Sequence, residues 1–281
     1  MRVSGRPVIL QRRCSTRAEE SLFGLRERRR RRLRATPFPD AWRAIVEQRF
    51  ALFPRLAPED QAELLGHMQV FLDEKKFEGC GGLEITDEIR VTIAAQACLL
   101  LLHREPHYYP RLVSILVYPH AYVAQARERL PGGIVVETPS GRLGESWVDD
   151  VVVLAWDAVR AGASDANDGH NVVLHEFAHQ LDQEDGTSNG APILEHRTQY
   201  VAWARILGAE FTALRAAAEQ GRPTDIDPYG ATDPAEFFAV VTEEFFERPE
   251  ALRRRHPDLY EELRAFYRQD PAAFASAAGG T

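Results

Sequence analysis

Apolar positions along the chain change their period twice. From Trp42 to Phe53 and from Pro58 to Phe77 they recur every three to four residues, with Leu64, Leu65, Met68, Phe71 and Leu72 on one stripe, which predicts two amphipathic helices. Pro54 ends the first, and Gly79-Cys80-Gly81-Gly82 breaks the pattern after the second. A third helix is predicted from about Asp87 through Leu102. It is apolar almost all round and is therefore expected at the centre of the fold. The middle of the chain turns to short β-branched runs, Leu112 to Tyr118, Gly133 to Glu137 and Val151 to Trp156, which read as strands. Helical spacing returns over Asn171 to Asp182, Arg197 to Glu219, Pro234 to Glu247 and around Pro257 to Tyr267. Helices, then strands, then helices predict an α+β fold, mostly helical with a small mixed sheet. The Tyr108-Tyr109 pair is expected to be packing.

Charge adds an asymmetry that periodicity does not show. The net charge of the 281 residues is −8, yet residues 1–34 carry twelve arginines against three glutamates, which leaves the rest of the chain seventeen charges negative. Arg28 to Arg32 is an unbroken basic run. We read residues 1–34 as a disordered basic arm and residues 35–281 as one domain, with a helical part over 35–110 and a catalytic core over 111–281. The arm lacks the aromatic residues of a single-strand binder, and the acidic body repels phosphate, so no direct nucleic-acid contact is expected. Apolar residues at 44% and charged residues at 27% fit a globular domain. No apolar run reaches the roughly 18 residues of a membrane span, and no secretory signal is visible. The three cysteines, Cys14, Cys80 and Cys98, form no C-x-x-C pair, which fits a reducing cytoplasm.

The chemistry lies in His175-Glu176-Phe177-Ala178-His179, an H-E-x-x-H motif. Residues four apart stand one above the other on a helix, so two imidazoles can reach one zinc ion at about 2.0–2.1 Å. Glu176 then sits beside the metal, where it can take a proton from water acidified by the ion and later pass it to a leaving amine. The context is helical. Leu174, Phe177, Ala178 and Leu181 form an apolar stripe, Asp168 or Asn171 can cap the start, and Gly186 lies past the end.

A catalytic site needs a third protein ligand, and the residues leave more than one candidate. Asp182 follows His179 by three but fits better as a carboxylate orienting an imidazole. Downstream, Asp233 is a good N-cap, Pro234 a good first helical residue, and Glu236 falls in the first turn. Glu236 is equally explained as the acid of a capping box. Glu243, on the same face two turns on, is either a support for a ligand or a solvated acid.

Five segments carry a family resemblance: Phe77 to Asp87 (FEGCGGLEITD), Ile93 to Cys98, Gly144-Glu145-Ser146-Trp147, Asp168 to His179 and Asp233-Pro234-Ala235-Glu236. Over roughly residues 22–275 the chain resembles the Mlc titration factor A family. The resemblance implies a cytoplasmic, zincin-like zinc peptidase with aminopeptidase-like activity, whose core is similar to that of anthrax lethal factor. It implies one Zn²⁺ held by His175, His179 and Glu236, and it gives Tyr229, seven residues before Glu236, the role of donor to a developing oxyanion. It implies binding of the sugar-regulatory repressor Mlc as well as peptide or protein substrates. Family members commonly begin near Leu22-Phe23-Gly24, so residues 1–21 are expected to be extra and are given no function. The alternative is a non-catalytic repressor-binding regulator with a structural zinc site. Glu176 argues against it, because a structural site needs ligands but no base.

Overall fold

In the computed structural model the backbone is described for residues 17–277, apart from 121, 130–134, 143 and 149. Helices α1 (Arg17–Arg34), α2 (Asp40–Arg49) and α3 (Pro58–Glu74) lead to strand β1 (Lys76–Gly79) and helix α4 (Asp87–Leu99). Strands β2 (Ser114–Tyr118), β3 (Tyr122–Arg129), β4 (Val135–Arg142), β5 (Gly144–Val148) and β6 (Val151–Ala155) follow. The remainder is helical: α5 (Trp156–Ser164), α6 (Val172–Asp182), α7 (Gln199–Glu219), α8 (Pro234–Glu247), α9 (Pro249–Arg255), α10 (Pro257–Tyr267) and α11 (Pro271–Ala277).

The fold is α+β. One sheet has the order β1-β2-β6-β5, with β1, β2 and β6 parallel and β5 antiparallel at the edge. β3 and β4 form a separate antiparallel ribbon. β6 lies between two partners, and Val152 to Ala155 are buried on both faces, as a central strand requires. α4 is buried along most of its length, from Val91 through Leu99, as its all-round apolar pattern anticipates. α6 packs against β5, β6, α4 and α8, which places it between the sheet and the C-terminal helices. Tyr108 and Tyr109 are buried in the same core. Among the described residues no helix is long and apolar enough to cross a membrane.

Three departures from the expected elements have physical causes. The helix expected to run to Phe77 stops at Glu74, because Lys76 to Gly79 pair with Ser114 to Val117 as β1. Lys75 marks the change. Its buried ammonium donates to the carbonyl oxygens of Tyr109 and Leu112 at 2.7 and 2.6 Å, and burial pushes its pKa down to about 8. Gly144 to Trp147, which no periodicity explained, belongs to the edge strand β5 that backs α6. The expected strand Gly133 to Glu137 is met by β4 from Val135, while Gly133 and Ile134 lie outside the described residues.

The basic segment is the larger correction. Residues 1–16 lie outside the described residues, but the remainder of the supposed disordered arm is helix α1, packed on α3. Arg30 is buried and grips Glu74 with two bonds of 2.8 and 2.9 Å, while Arg26 adds a third at 2.7 Å and Arg29 reaches Asp73 at 2.9 Å. The Arg30 guanidinium also lies 4.7 Å from the Tyr108 ring centre. Glu27 adds a local partner to Arg30 at 2.9 Å, but the other acids that answer the run, Asp73 and Glu74, stand at the end of α3, more than forty residues away and out of reach of any local pattern. Burial alone would raise the Glu74 pKa, but the bonds from Arg30 and Arg26 bring it down to about 2.

A depressed folded pKa stabilises the protein above the unfolded carboxylate range, and that contribution is lost as the pH falls towards about 2. Glu74→Gln is therefore expected to cost about 2–3 kcal/mol at pH 7, with the gap to the parent closing near pH 2–3. Urea unfolding of both proteins at the two pH values measures it. An equal deficit at both would show that α1 is not held by this charge.

Candidate metal centre

α6 begins where Asn171 caps it. Asn171 Oδ1 accepts from the N–H groups of Val173 and Leu174 at 3.1 and 3.0 Å. Leu174, Phe177, Ala178 and Leu181 are buried, as their stripe anticipates, Val173 is buried with them, and His175 and His179 stand one turn apart on another face. α8 begins in the same way. Asp233 Oδ1 accepts from Ala235 and Glu236 at 2.8 and 3.0 Å, with Pro234 in the first turn. Of the two readings of Glu236, the capping box is not the one adopted. Its carboxylate turns to the imidazoles of α6, with Oε2 at 3.1 Å from His175 Nε2 and 3.6 Å from His179 Nε2. The two Nε2 atoms are themselves 3.3 Å apart.

These three atoms form a nearly equilateral triangle. Bonds of about 2.0–2.1 Å to a tetrahedral zinc ion separate its ligand atoms by about 3.3–3.4 Å, close to the observed edges. Two imidazole nitrogens and one carboxylate oxygen are also a donor set that suits zinc. The triad thus fits the ion by spacing and by chemistry.

The surrounding groups hold the triad in place. Glu243 Oε1 lies 2.7 Å from His175 Nδ1, which turns Nε2 towards Glu236, and its Oε2 accepts from the Asn171 N–H at 2.5 Å. Burial would lower the His175 pKa, but its bonds to Glu236 and Glu243 carry it up to about 10. Burial would likewise raise Glu236, and its bonds to the two imidazoles instead hold it well below the usual carboxylate range. Glu176 is 4% exposed, and its Oε2 is buried without a partner. Burial pushes its pKa up, against the pull of His175 and His179. Such a carboxyl changes its proton more readily near neutral pH than an ordinary one does. Tyr229 sits on a 3-10 turn, Pro228–Ala231, capped by Asp227, with its ring centre 6.0 Å from that of His175. It is 55% exposed, and partial burial with the charges of Glu236 and Glu176 pushes its pKa up to about 12, so its hydroxyl keeps its proton.

Asp182 departs from its expected role of orienting an imidazole. It is fully buried, its Oδ2 accepts from the Gly190 N–H at 2.9 Å, and Oδ1 has no partner. It fastens a loop instead. Gly190 adopts a left-handed φ of +72°, and a Cβ there would come within 2.2 Å of the Pro234 carbonyl oxygen. Trp203 Nε1 donates to the Gly190 carbonyl at 2.8 Å. The loop is thus pinned to the start of α8 and to α7.

Sequence reasoning missed Glu247. Its carboxyl accepts from Asn171 Nδ2 at 3.0 Å and from the Gly169 N–H at 3.1 Å. Its only signal was a place four residues beyond Glu243, on the same helix face. A second set of donors, Asp60, Glu63 and His103, also lies close together. His103 is 3.1 Å from Asp60, while Glu63 accepts from the His103 N–H and is engaged by His67 at 3.2 Å. This set is an ion-pair network that ties α3 to the segment after α4.

Comparison with known proteins finds relatives over most of the chain. Residues 25–268 match the family described as glucose-regulated metallo-peptidase M90. An uncharacterised protein of Synechocystis sp. is 43% identical over 244 residues, covering 86% of this chain and 89% of the relative. Mlc titration factor A of Klebsiella pneumoniae is 33% identical over 219 residues, covering 77% and 82% respectively. Mlc titration factor A of Pectobacterium atrosepticum is 32% identical over 237 residues, covering 83% and 87%.

Glu247 gives the helix pair a pH signature. Burial first, then the charge of Asp168, pushes its pKa up to about 9, so the folded protein keeps a proton that the unfolded chain loses above about 4.3. Stability therefore falls through this group as the pH rises from about 5 towards 9. Glu247→Gln, which carries no charge, is expected to equal the parent at pH 5 and to exceed it at pH 8. Denaturation midpoints at the two pH values test this, and a variant weaker at pH 8 would mean that Glu247 is ionised.

Proposed function

This chain belongs to the glucose-regulated metallo-peptidase M90 family, and from that premise we propose that it is a zinc-dependent peptidase of zincin-like fold with aminopeptidase-like action on peptides. The observation that carries the reading is the triangle of His175 Nε2, His179 Nε2 and Glu236 Oε2, with the buried, unpartnered Glu176 Oε2 on the same helix. In this reading the three residues hold one Zn²⁺ per chain. The ion, when bound, lowers the pKa of water to about 7 and polarises a peptide carbonyl.

The chain's own groups supply the rest. Glu176 takes the proton of the attacking water and delivers it to the leaving amine. The raised pKa that burial gives it favours both halves of that transfer. Tyr229 donates its hydroxyl proton to the developing oxyanion as a hydrogen bond, and its half-exposed position leaves room for a substrate. Glu243 holds the His175 ring so that Nε2 stays directed at the ion. The three cysteines, with no C-x-x-C spacing, support a reducing cytoplasmic setting.

A second role goes with the first. Relatives covering about four-fifths of the chain bear the name Mlc titration factor A, which supports binding of an Mlc-type sugar-regulatory repressor. A purely structural zinc site in a non-catalytic regulator has no use for Glu176, so we favour catalysis with repressor binding added to it.

Elemental analysis is expected to find about one zinc per chain in the parent and less in Glu236→Ala. Glu176→Gln should retain the metal and lose about 10²–10⁴ of peptide turnover. Glu243→Ala should weaken zinc affinity about 10–100-fold. Protein that holds no zinc after incubation with it would sink the peptidase reading and leave repressor binding. Full turnover in Glu176→Gln would remove Glu176 as the base.

A further inference from the structure

A cavity of about 340 Å³ opens near the C-terminal end of α6, away from the metal centre. Leu181 faces it from α6, about 200° round the helix from His179. Leu101, Leu194 and Phe266 supply further apolar wall. His175, His179 and Glu236 take no part in it.

The charges in this wall are unevenly matched. Arg268 is paired with Glu195 and also bonds the His103 carbonyl, and His107 lies 3.4 Å from Glu184. Arg104 has no such partner. Its guanidinium stacks 4.1 Å from the Phe266 ring centre, makes no hydrogen bond or ion pair among the described residues, and leaves Nη1 buried and unsatisfied. Glu184 acts on it only through its field, and burial shifts Glu184 towards its protonated form. Glu105, also in the wall, is exposed, where water screens it. Arg104 is part-buried, but a fully buried donor such as its Nη1 is costly without a partner, and the guanidinium fork is shaped to accept a carboxylate.

We propose that this cavity is a binding site for a small carboxylate with an apolar body, its carboxylate on Arg104 and its body against Leu101, Leu181, Leu194 and Phe266. The size is at the small end of the roughly 300–1,000 Å³ range of ligand pockets. A short acyl or arylalkyl chain fills such a space. The charge of Arg104 selects against the uncharged amide of the same shape, which cannot form a charge-assisted pair.

Calorimetric titration of the zinc-loaded full chain with 4-phenylbutyrate and with 4-phenylbutanamide tests the proposal. Saturable binding of the acid is expected, with the amide weaker by at least about tenfold. Arg104→Met keeps the cover over Phe266, removes the charge, and should weaken the acid by at least about tenfold. Circular dichroism and zinc content report whether the variant is folded, and Arg104→Gln takes its place if it is not. No saturable binding of the acid overturns the proposal. So does undiminished binding in a folded Arg104 variant, which would place the anion elsewhere, including at the zinc ion.

Discussion

The carboxylate of Glu243 is the contact on which the centre depends. One oxygen takes the backbone N–H of Asn171, where α6 starts, and the other takes Nδ1 of His175, one turn further on. α8 therefore sets both the beginning of α6 and the rotation of its first imidazole. Glu236 projects from α8 two turns before Glu243, so one helix face delivers a candidate ligand and the group that aims another. Charge-assisted bonds of this kind contribute about 1.5–3 kcal/mol each. Their geometric effect matters more, because a small rotation of His175 would open the triangle.

The same arrangement concentrates acid. Glu176, Glu243 and Glu247 are buried and Glu236 is part-buried, all four within two packed helices. Such a cluster repels itself unless its charge is answered. The imidazoles answer Glu236 and Glu243, and a retained proton answers Glu247. A divalent cation at the triad would answer the remainder. The sheet supplies rigidity from behind, with β5 and β6 packed on α6.

Much of this was legible in the chain. The stripe of Leu174, Phe177, Ala178 and Leu181, the cap at Asn171 and the Asp233-Pro234 start of α8 are local signals, and the structure follows them. What was not legible depends on distant partners. Arg26 and Arg30 read as a free basic run because Glu74 is over forty residues away. β1 continued the stripe of α3, and only pairing with β2 makes it a strand. Asp182 stood at the right spacing for an imidazole, yet its carboxylate takes the N–H of a glycine in a left-handed turn. Glu247 looked like one more acid on a helix until its surroundings were buried.

Gly190 has a consequence for how the molecule comes apart. Its N–H is held by the last residue of α6, its carbonyl by Trp203 of α7, and its α-carbon lies against the first residue of α8. All three contacts meet at one residue, so a single peptide segment touches α6, α7 and α8 at once. The loop around Gly190, for all its irregularity, is tied to the elements that carry the centre, and contacts of this kind raise the free energy of local opening. Loss of this segment would loosen the end of α6, which carries His179, and the start of α8, which carries Glu236, together.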